Sequence, residues 1–361
     1  MLKTNDPLQQ ARLDHLGFDA ADAERAAGEL AAKFGFEIEG RSPPGTPSHH
    51  AVLLRQGAAC LVVTQGHSSD HDASAYVRRH GDGVADIALA TPDVRAAFAL
   101  AVARGATALH APAERDGVLT ACIAAFGSVR HTLIQRLSDA SSDRRFPGVL
   151  PVPPTGLSPK IGLQHLDHIA VCVEAGRLVP TVDFYVAVMG FQQIFEERVV
   201  IGAQAMNSQV VRNLAGDVTL TILEPDSASE PGQIEEFLRD NGGGGIQHLA
   251  FTSNDILRSV DALRAQGIAF RETPGTYYDR LPERLGRTGH PIPALRAHGV
   301  LVDEDHAGRL YQIFTRSTHP RKTFFMEVIE RGGAQTFGSG NIKALYASIE
   351  LERAAGRAEI A

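Results

Sequence analysis

The amino-acid sequence predicts an α+β protein built from two tandem copies of one unit, each a doubled βαβββ module with curved, mainly antiparallel or mixed sheets. Three observations predict it. Short motifs from the first half of the chain return in the second. Strand and helix periodicities follow one another in the order strand, helix, strands. Between the halves runs LSDASSDRRFPGVLPVPPTGLSPKIGL, rich in Pro, Ser and Gly and without periodicity, as a linker should be. The expected division is an N-terminal domain at 1–136, a linker at 137–163 and a C-terminal domain at 164–361. At 361 residues the chain is also too long for one ordinary core.

The repeat is legible residue by residue. Leu13-Asp14-His15 precedes Phe34-Gly35-Phe36 as Leu166-Asp167-His168 precedes Met189-Gly190-Phe191. Gly83–Ala88 matches Gly245–Ala250. In each half an Asp (Asp93, Asp255) then opens a helical pattern that closes at a Gly (Gly105, Gly267) after the same interval.

Each element of the second half has its own reason. Leu166–Val173 alternates as a strand, with His168, Ala170 and Cys172 on one face. Leu178, Val182, Tyr185 and Met189 recur at helical spacing, and Gly190 ends that helix. Residues 210–213 and 218–224 read as a hairpin around Ala215-Gly216-Asp217. Residues 246–252 form a strand entered from four glycines, and 254–266 a helix with Leu257, Val260 and Leu263 inward. Residues 300–303 and 310–315 flank an acidic turn, and 323–329 is the last strand. Ile342, Leu345, Tyr346 and Ile349 then mark one apolar face of a closing helix, expected to act as a C-terminal lid.

Composition bounds the function. Apolar residues make up 43% and charged residues 21%, with a net charge of −7, so no basic face points to nucleic acid or an anionic membrane. Cys60, Cys122 and Cys172 lie far apart, which fits a reduced, cytoplasmic protein. No apolar run reaches membrane-spanning length.

Three polar residues stand alone on the inward faces of apolar strands: His168, His248 and Glu327, 80 and 79 residues apart. A carboxylate among apolar neighbours is costly to bury unless something positive meets it. Two imidazoles and one carboxylate with open positions form the facial triad of non-haem Fe(II) oxygenases. In the first half the matching positions hold His15, Asp86 and Thr132, so only one ligand type is kept and that half is expected to be a metal-free structural copy.

LDHIAV, GGGGIQHLAF, VDEDHAGRLYQIFTRSTHPR and FFMEVIERGGAQTFGSGN together resemble the 4-hydroxyphenylpyruvate dioxygenase family, of the vicinal oxygen chelate fold. The resemblance covers nearly the whole chain. It implies that His168, His248 and Glu327 bind Fe(II) inside a C-terminal open barrel and act as the catalytic centre. It also implies that 4-hydroxyphenylpyruvate chelates the iron through its carboxylate and keto oxygens, that O2 is the co-substrate, and that carbon dioxide leaves. Ser208, Gln233, Gln247 and Gln312 match substrate-cavity positions of the family, and the resemblance implies a homodimer. Gln312 shares a strand face with Phe314, and Glu327 with Phe325, so each pair is expected to line one wall, with Phe337 near the aryl group and Asn341 among the substrate contacts.

Two products divide that family. Ring attack gives homogentisate; benzylic hydroxylation gives 4-hydroxymandelate, a source of the hydroxyphenylglycine unit of peptide antibiotics. Thr221 and Leu223 stand where ring-attacking members have Pro and Asn, and Ile342 and Tyr346 where they have Phe. These departures resemble the benzylic branch. An Ile in place of Phe frees room for the ring to rotate, and the product turns on which carbon lies nearer the oxidant.

Other signals carry less. His67, Asp70 and His71 have metal-like spacing but lie in the polar stretch GHSSDHDAS, which reads as a solvated loop. Gly242–Gly245 has no following Lys-Ser/Thr and is a turn rather than a phosphate cradle.

Overall fold

The computed structural model describes residues 6–137, 146–153, 156–345 and 347–348. The first half contributes strands β1 (Arg12–Asp19), β2 (Glu37–Arg41), β3 (His49–Gln56), β4 (Ala59–Gly66), β5 (Gly83–Ala90), β6 (Ala108–Arg115), β7 (Val118–Ala124) and β8 (Arg130–Arg136). Helices α1 (Ala23–Phe34), α2 (Asp72–His80) and α3 (Val94–Ala103) connect them, and β9 (Leu150–Pro151) follows. The second half contributes β10 (Leu163–Cys172), β11 (Gln192–Ile201), β12 (Gln204–Arg212), β13 (Thr219–Pro225), β14 (Gly245–Ser253), β15 (Leu301–Asp305), β16 (Gly308–Phe314) and β17 (Phe325–Gly332). Its helices are α4 (Leu178–Asp183), α5 (Gln233–Asn241), α6 (Ile256–Ala265), α7 (Gly275–Asp279), α8 (Leu281–Leu285) and α9 (Ile292–His298).

The two sheets have one topology. The first runs β9-β2-β3-β4-β1-β5-β8-β7-β6, and the second β11-β12-β13-β10-β14-β17-β16-β15. With β9 set aside as an added edge, the strands correspond one to one. In both, two βαβββ modules join through an antiparallel central pair, β1–β5 or β10–β14. Within each module the first and last strands run parallel, and the remaining neighbours are antiparallel. This is the tandem vicinal oxygen chelate architecture of two curved α+β sheets.

Helix ends follow the repeated sequence. Asp93 and Asp255 cap α3 and α6, each accepting from the backbone N–H three residues on. Apolar residues of both halves form one continuous core, with Phe36 edge-on to Phe251 across the junction at 6.0 Å. Buried His131 meets the Tyr185 hydroxyl there at 2.9 Å. No helix among the described residues is long and apolar enough to cross a membrane.

The structure corrects the helix expected from Leu178 to Met189. It is α-helical only to Asp183 and then widens into a π-turn over Phe184–Val188, closed by the Met189 N–H on the Phe184 carbonyl. Gly190 does end it, with φ at 73°. Strand β11 and helices α5, α7, α8 and α9 are additions to the elements read from the sequence. Residues 339–345 are helical, as expected of the closing helix; Tyr346 and Ile349 lie outside the described residues.

Candidate metal centre and substrate cavity

Strands β10, β14 and β17 are adjacent in the second sheet, and their register explains how residues 80 and 79 positions apart converge. His168 pairs with Ala250, which pairs in turn with Glu327. His248 lies two residues from Ala250, so the pleat turns it to the same face. The result is a compact cluster. Nε2 of His168 and Nε2 of His248 each stand 3.3 Å from Oε2 of Glu327. The three ligand atoms lie within 4.8 Å of one another, and all three residues are at most 8% exposed.

The opposite ring nitrogens are already engaged. His168 Nδ1–H donates to Asp167 Oδ1 at 2.9 Å, and His248 Nδ1–H to Gln247 Oε1 at 3.2 Å. Each Nε2 is thereby left to face Glu327. Ligands on one face of an octahedron, about 2.1 Å from an ion, stand about 3 Å apart, so this donor set fits a divalent first-row metal.

Electrostatics agree. Burial works against a charge on His168, but its bonds to Asp167 and Glu327 outweigh it and push the group up to about 9. Burial pulls His248 down. Burial also opposes the Glu327 charge, yet the two imidazoles hold that carboxyl below its ordinary range. The cluster therefore carries one proton that a metal ion would displace.

Above the triad lies a mainly apolar cavity. Of the residues read from the sequence, Ser208, Thr221, Leu223, Gln233, Gln247, Gln312, Phe314, Phe325, Phe337 and Ile342 line it with the triad. Gln247 reaches it although it neighbours His248, because the β10–β14 register slips there and leaves Gln247 in a bulge. Gln233 opens α5, whose start is fixed by the Gly232 N–H on the Glu235 carboxylate. Phe325 stacks on His248 at 4.8 Å, and Phe337 stands edge-on to His168 at 5.4 Å. The Thr221 hydroxyl oxygen is buried with no hydrogen-bond partner in the protein.

Asn341 is a correction. It is fully buried behind the wall rather than on it, held by the Tyr277 hydroxyl at 2.6 Å and donating to Gln312 Oε1 at 3.3 Å. Its place is to anchor Gln312 and the start of the closing helix.

Sequence reasoning missed several lining residues. Phe195, Glu197 and Val199 belong to β11, whose polar run QQIFEER hides the strand alternation. Arg271 lies in an irregular segment after α6, its guanidinium 4.7 Å from the centre of the Phe325 ring. Lys343 of the closing helix reaches Glu197 at 2.6 Å and ties that helix to β11.

On the first sheet the positions that match the triad bond to their own neighbours. The β5–β8 register places Thr132 where β17 has Glu327. Asp86 accepts from the Thr132 N–H at 3.0 Å and from its hydroxyl, and Arg130 stands 3.5 Å away. His67, Asp70 and His71 form no ligand cluster; His71 caps α2 by accepting from the Ala73 N–H.

Fold and site together define a class: a tandem vicinal oxygen chelate protein with a His-His-Glu centre. Residues 165–281 match the model of the Glyoxalase/Bleomycin resistance protein/Dioxygenase superfamily. The 4-hydroxyphenylpyruvate dioxygenase of Caenorhabditis briggsae is 33% identical over 94% of this chain and 91% of its own length. That of Tetrahymena thermophila is 31% identical over 94% and 89%. A multiply substituted variant of 4-hydroxymandelate synthase from Streptomyces coelicolor, of known structure, is 41% identical over 95% of this chain and 99% of that one, with a TM-score of 0.83. The chain belongs to the 4-hydroxyphenylpyruvate dioxygenase family, and is an enzyme of that dioxygenase class.

Proposed function

We propose that this chain is an Fe(II)-dependent dioxygenase converting 4-hydroxyphenylpyruvate and O2 to 4-hydroxymandelate and carbon dioxide. His168, His248 and Glu327 hold the metal. Iron, when bound there, supplies a chelation site for the 2-oxo acid and the electrons that activate dioxygen.

The chain's own residues do the rest. Phe195, Phe314, Phe325, Phe337, Ile342 and Leu345 exclude water and hold the aryl ring. Ser208, Gln233, Gln247 and Gln312 offer the few polar contacts that orient it. The orphaned Thr221 hydroxyl awaits a phenol or a bound water, since a buried polar group without a partner is costly. Residues 339–345 act as the lid, and the N-terminal half as a structural copy whose Asp86 is spent on Thr132 and Arg130.

The observation that carries the product choice is the 41% identity to the hydroxymandelate synthase structure, against 31% and 33% for the two dioxygenases. Ile342, Thr221 and Leu223 on the cavity wall support it. The names of those dioxygenases favour a second reading, homogentisate. The two products are isomers, so the test is chromatographic retention, or the aromatic proton pattern, after incubating iron-loaded protein with 4-hydroxyphenylpyruvate in air. Homogentisate as the main product would defeat the first reading. A homodimer belongs to the same reading, and light scattering that finds only monomer would remove it.

A further inference from the structure

We propose that Arg331 and Asp167 form a positioning relay that fixes the orientation and tautomer of His168 and, through the same guanidinium, the placement of Phe337. The inference rests on the metal centre proposed above.

Arg331 lies on β17, four residues beyond Glu327. Its Nε donates to Asp167 Oδ2 at 2.6 Å and its Nη2 to Asp167 Oδ1 at 2.8 Å, a two-pronged pair. Asp167 in turn accepts from His168 Nδ1–H, which leaves Nε2, on the Glu327 side, as the ring atom that can serve a metal. The remaining fork of Arg331 donates to the carbonyls of Ala334 and Thr336, both at 2.9 Å. Those bonds shape the turn that delivers Phe337, whose ring lies 5.2 Å from the guanidinium carbon and edge-on to His168. One side chain thus locks a metal ligand and an aromatic wall of the cavity together.

The first half holds the same constellation. Arg136 pairs with Asp14, and Asp14 accepts from His15 Nδ1–H at 2.8 Å. Phe146 stands edge-on to His15 at 5.1 Å and under Arg136 at 5.4 Å. There it packs against no ligand cluster, since Asp86 is engaged by Thr132 and the one such cluster among the described residues is His168, His248 and Glu327. Whatever the constellation contributes to packing is common to both halves. What it contributes to a metal ligand exists in one.

The test uses that internal control. Full-length Asp167→Asn and Asp14→Asn proteins are titrated with Co(II), followed by visible absorption, and melted in parallel. Outer partners of metal-bound histidines typically change affinity about ten- to a hundredfold. The relay requires a loss of that size and an altered Co(II) spectrum in Asp167→Asn, with less than a threefold change and the parent spectrum in Asp14→Asn. Should Asp167→Asn fail to fold, Arg331→Lys keeps the cation, loses the fork and is read the same way. Parent-like affinity and spectrum in the β10-side variant, or an equal loss in both halves, would overturn the relay alone. A parent protein that takes up no Co(II) would overturn the metal centre and the relay with it.

Discussion

Nε2 of His168 lies 3.3 Å from Oε2 of Glu327, with both side chains nearly sealed from water. Without a metal this is a buried ion pair, in which Asp167 and Glu327 outweigh burial and raise His168 to about 9. A metal ion needs the lone pair that the proton occupies. Metal affinity should therefore climb with pH, about tenfold per unit between pH 7 and 8.5, with one proton released per ion. Calorimetry of Co(II) binding in two buffers of different ionisation enthalpy counts that proton; none released at pH 7 would contradict the pairing. Stability of the metal-free protein should move the other way. A histidine raised above its ordinary 6.5 contributes fully below that value, and the contribution fades as pH rises toward 9.

Legibility tracked burial. Strands β10, β14 and β17 each carry one buried His or Glu with apolar residues beside it, so the triad is legible without knowledge of the register. The alternation of β11 is masked, because most of Gln192–Ile201 faces solvent at the sheet edge. Helix α5 buries only Ile234, Phe237 and Asn241, too few for a clear period. The pairing of Arg331 with Asp167 spans 164 residues and joins two charged residue types that sequence alone assigns to solvent. Asn341 is obscure for a related reason: a short polar side chain beside a cavity motif does not declare whether it faces the cavity or the wall behind it.

Thr221 offers a test in which stability and binding separate. Its hydroxyl oxygen is buried on the cavity wall without a partner. Thr221→Val keeps the shape and removes the group. Stability in melting experiments should hold or rise, by up to about 1 kcal/mol, because an unsatisfied buried polar atom disappears. The KM for 4-hydroxyphenylpyruvate should rise about three- to tenfold, the worth of one ordinary hydrogen bond. A fall in stability with unchanged KM would mean that the hydroxyl serves the fold.

Ile342, like Leu223, packs against the buried cluster that includes Val199 and Met206, and it lines the cavity from the closing helix. Ile342→Phe adds volume where the aryl ring would turn. Overpacking should cost about 1–3 kcal/mol in melting experiments. The product ratio, measured by chromatography, should move from 4-hydroxymandelate toward homogentisate. An unchanged ratio would remove the steric part of the product argument.

Asp305 controls how Phe337 arrives at the metal centre. Its Oδ2 accepts from the Gln335 and Thr336 N–H groups at 2.7 and 2.8 Å, and its Oδ1 from those of Ala307 and Gly308. Partial burial opposes its charge, but the backbone donors at Thr336, Ala307 and Gln335 prevail and hold the carboxyl well below the usual range. A lowered carboxylate contributes stability above its unfolded value, near 3.9, and loses it as pH falls through the folded one. Asp305→Ala should therefore destabilise by about 1–2 kcal/mol at pH 7, a figure kept modest because the group is partly solvated. Melting curves of parent and variant should differ by a constant amount above pH 5 and converge below pH 4. The turn it releases also carries Phe337 to within 5.4 Å of His168, so the aryl wall should loosen and kcat for product formation should fall more than metal affinity does. Equal melting temperatures at pH 7 would show that the four donors hold the turn without their acceptor.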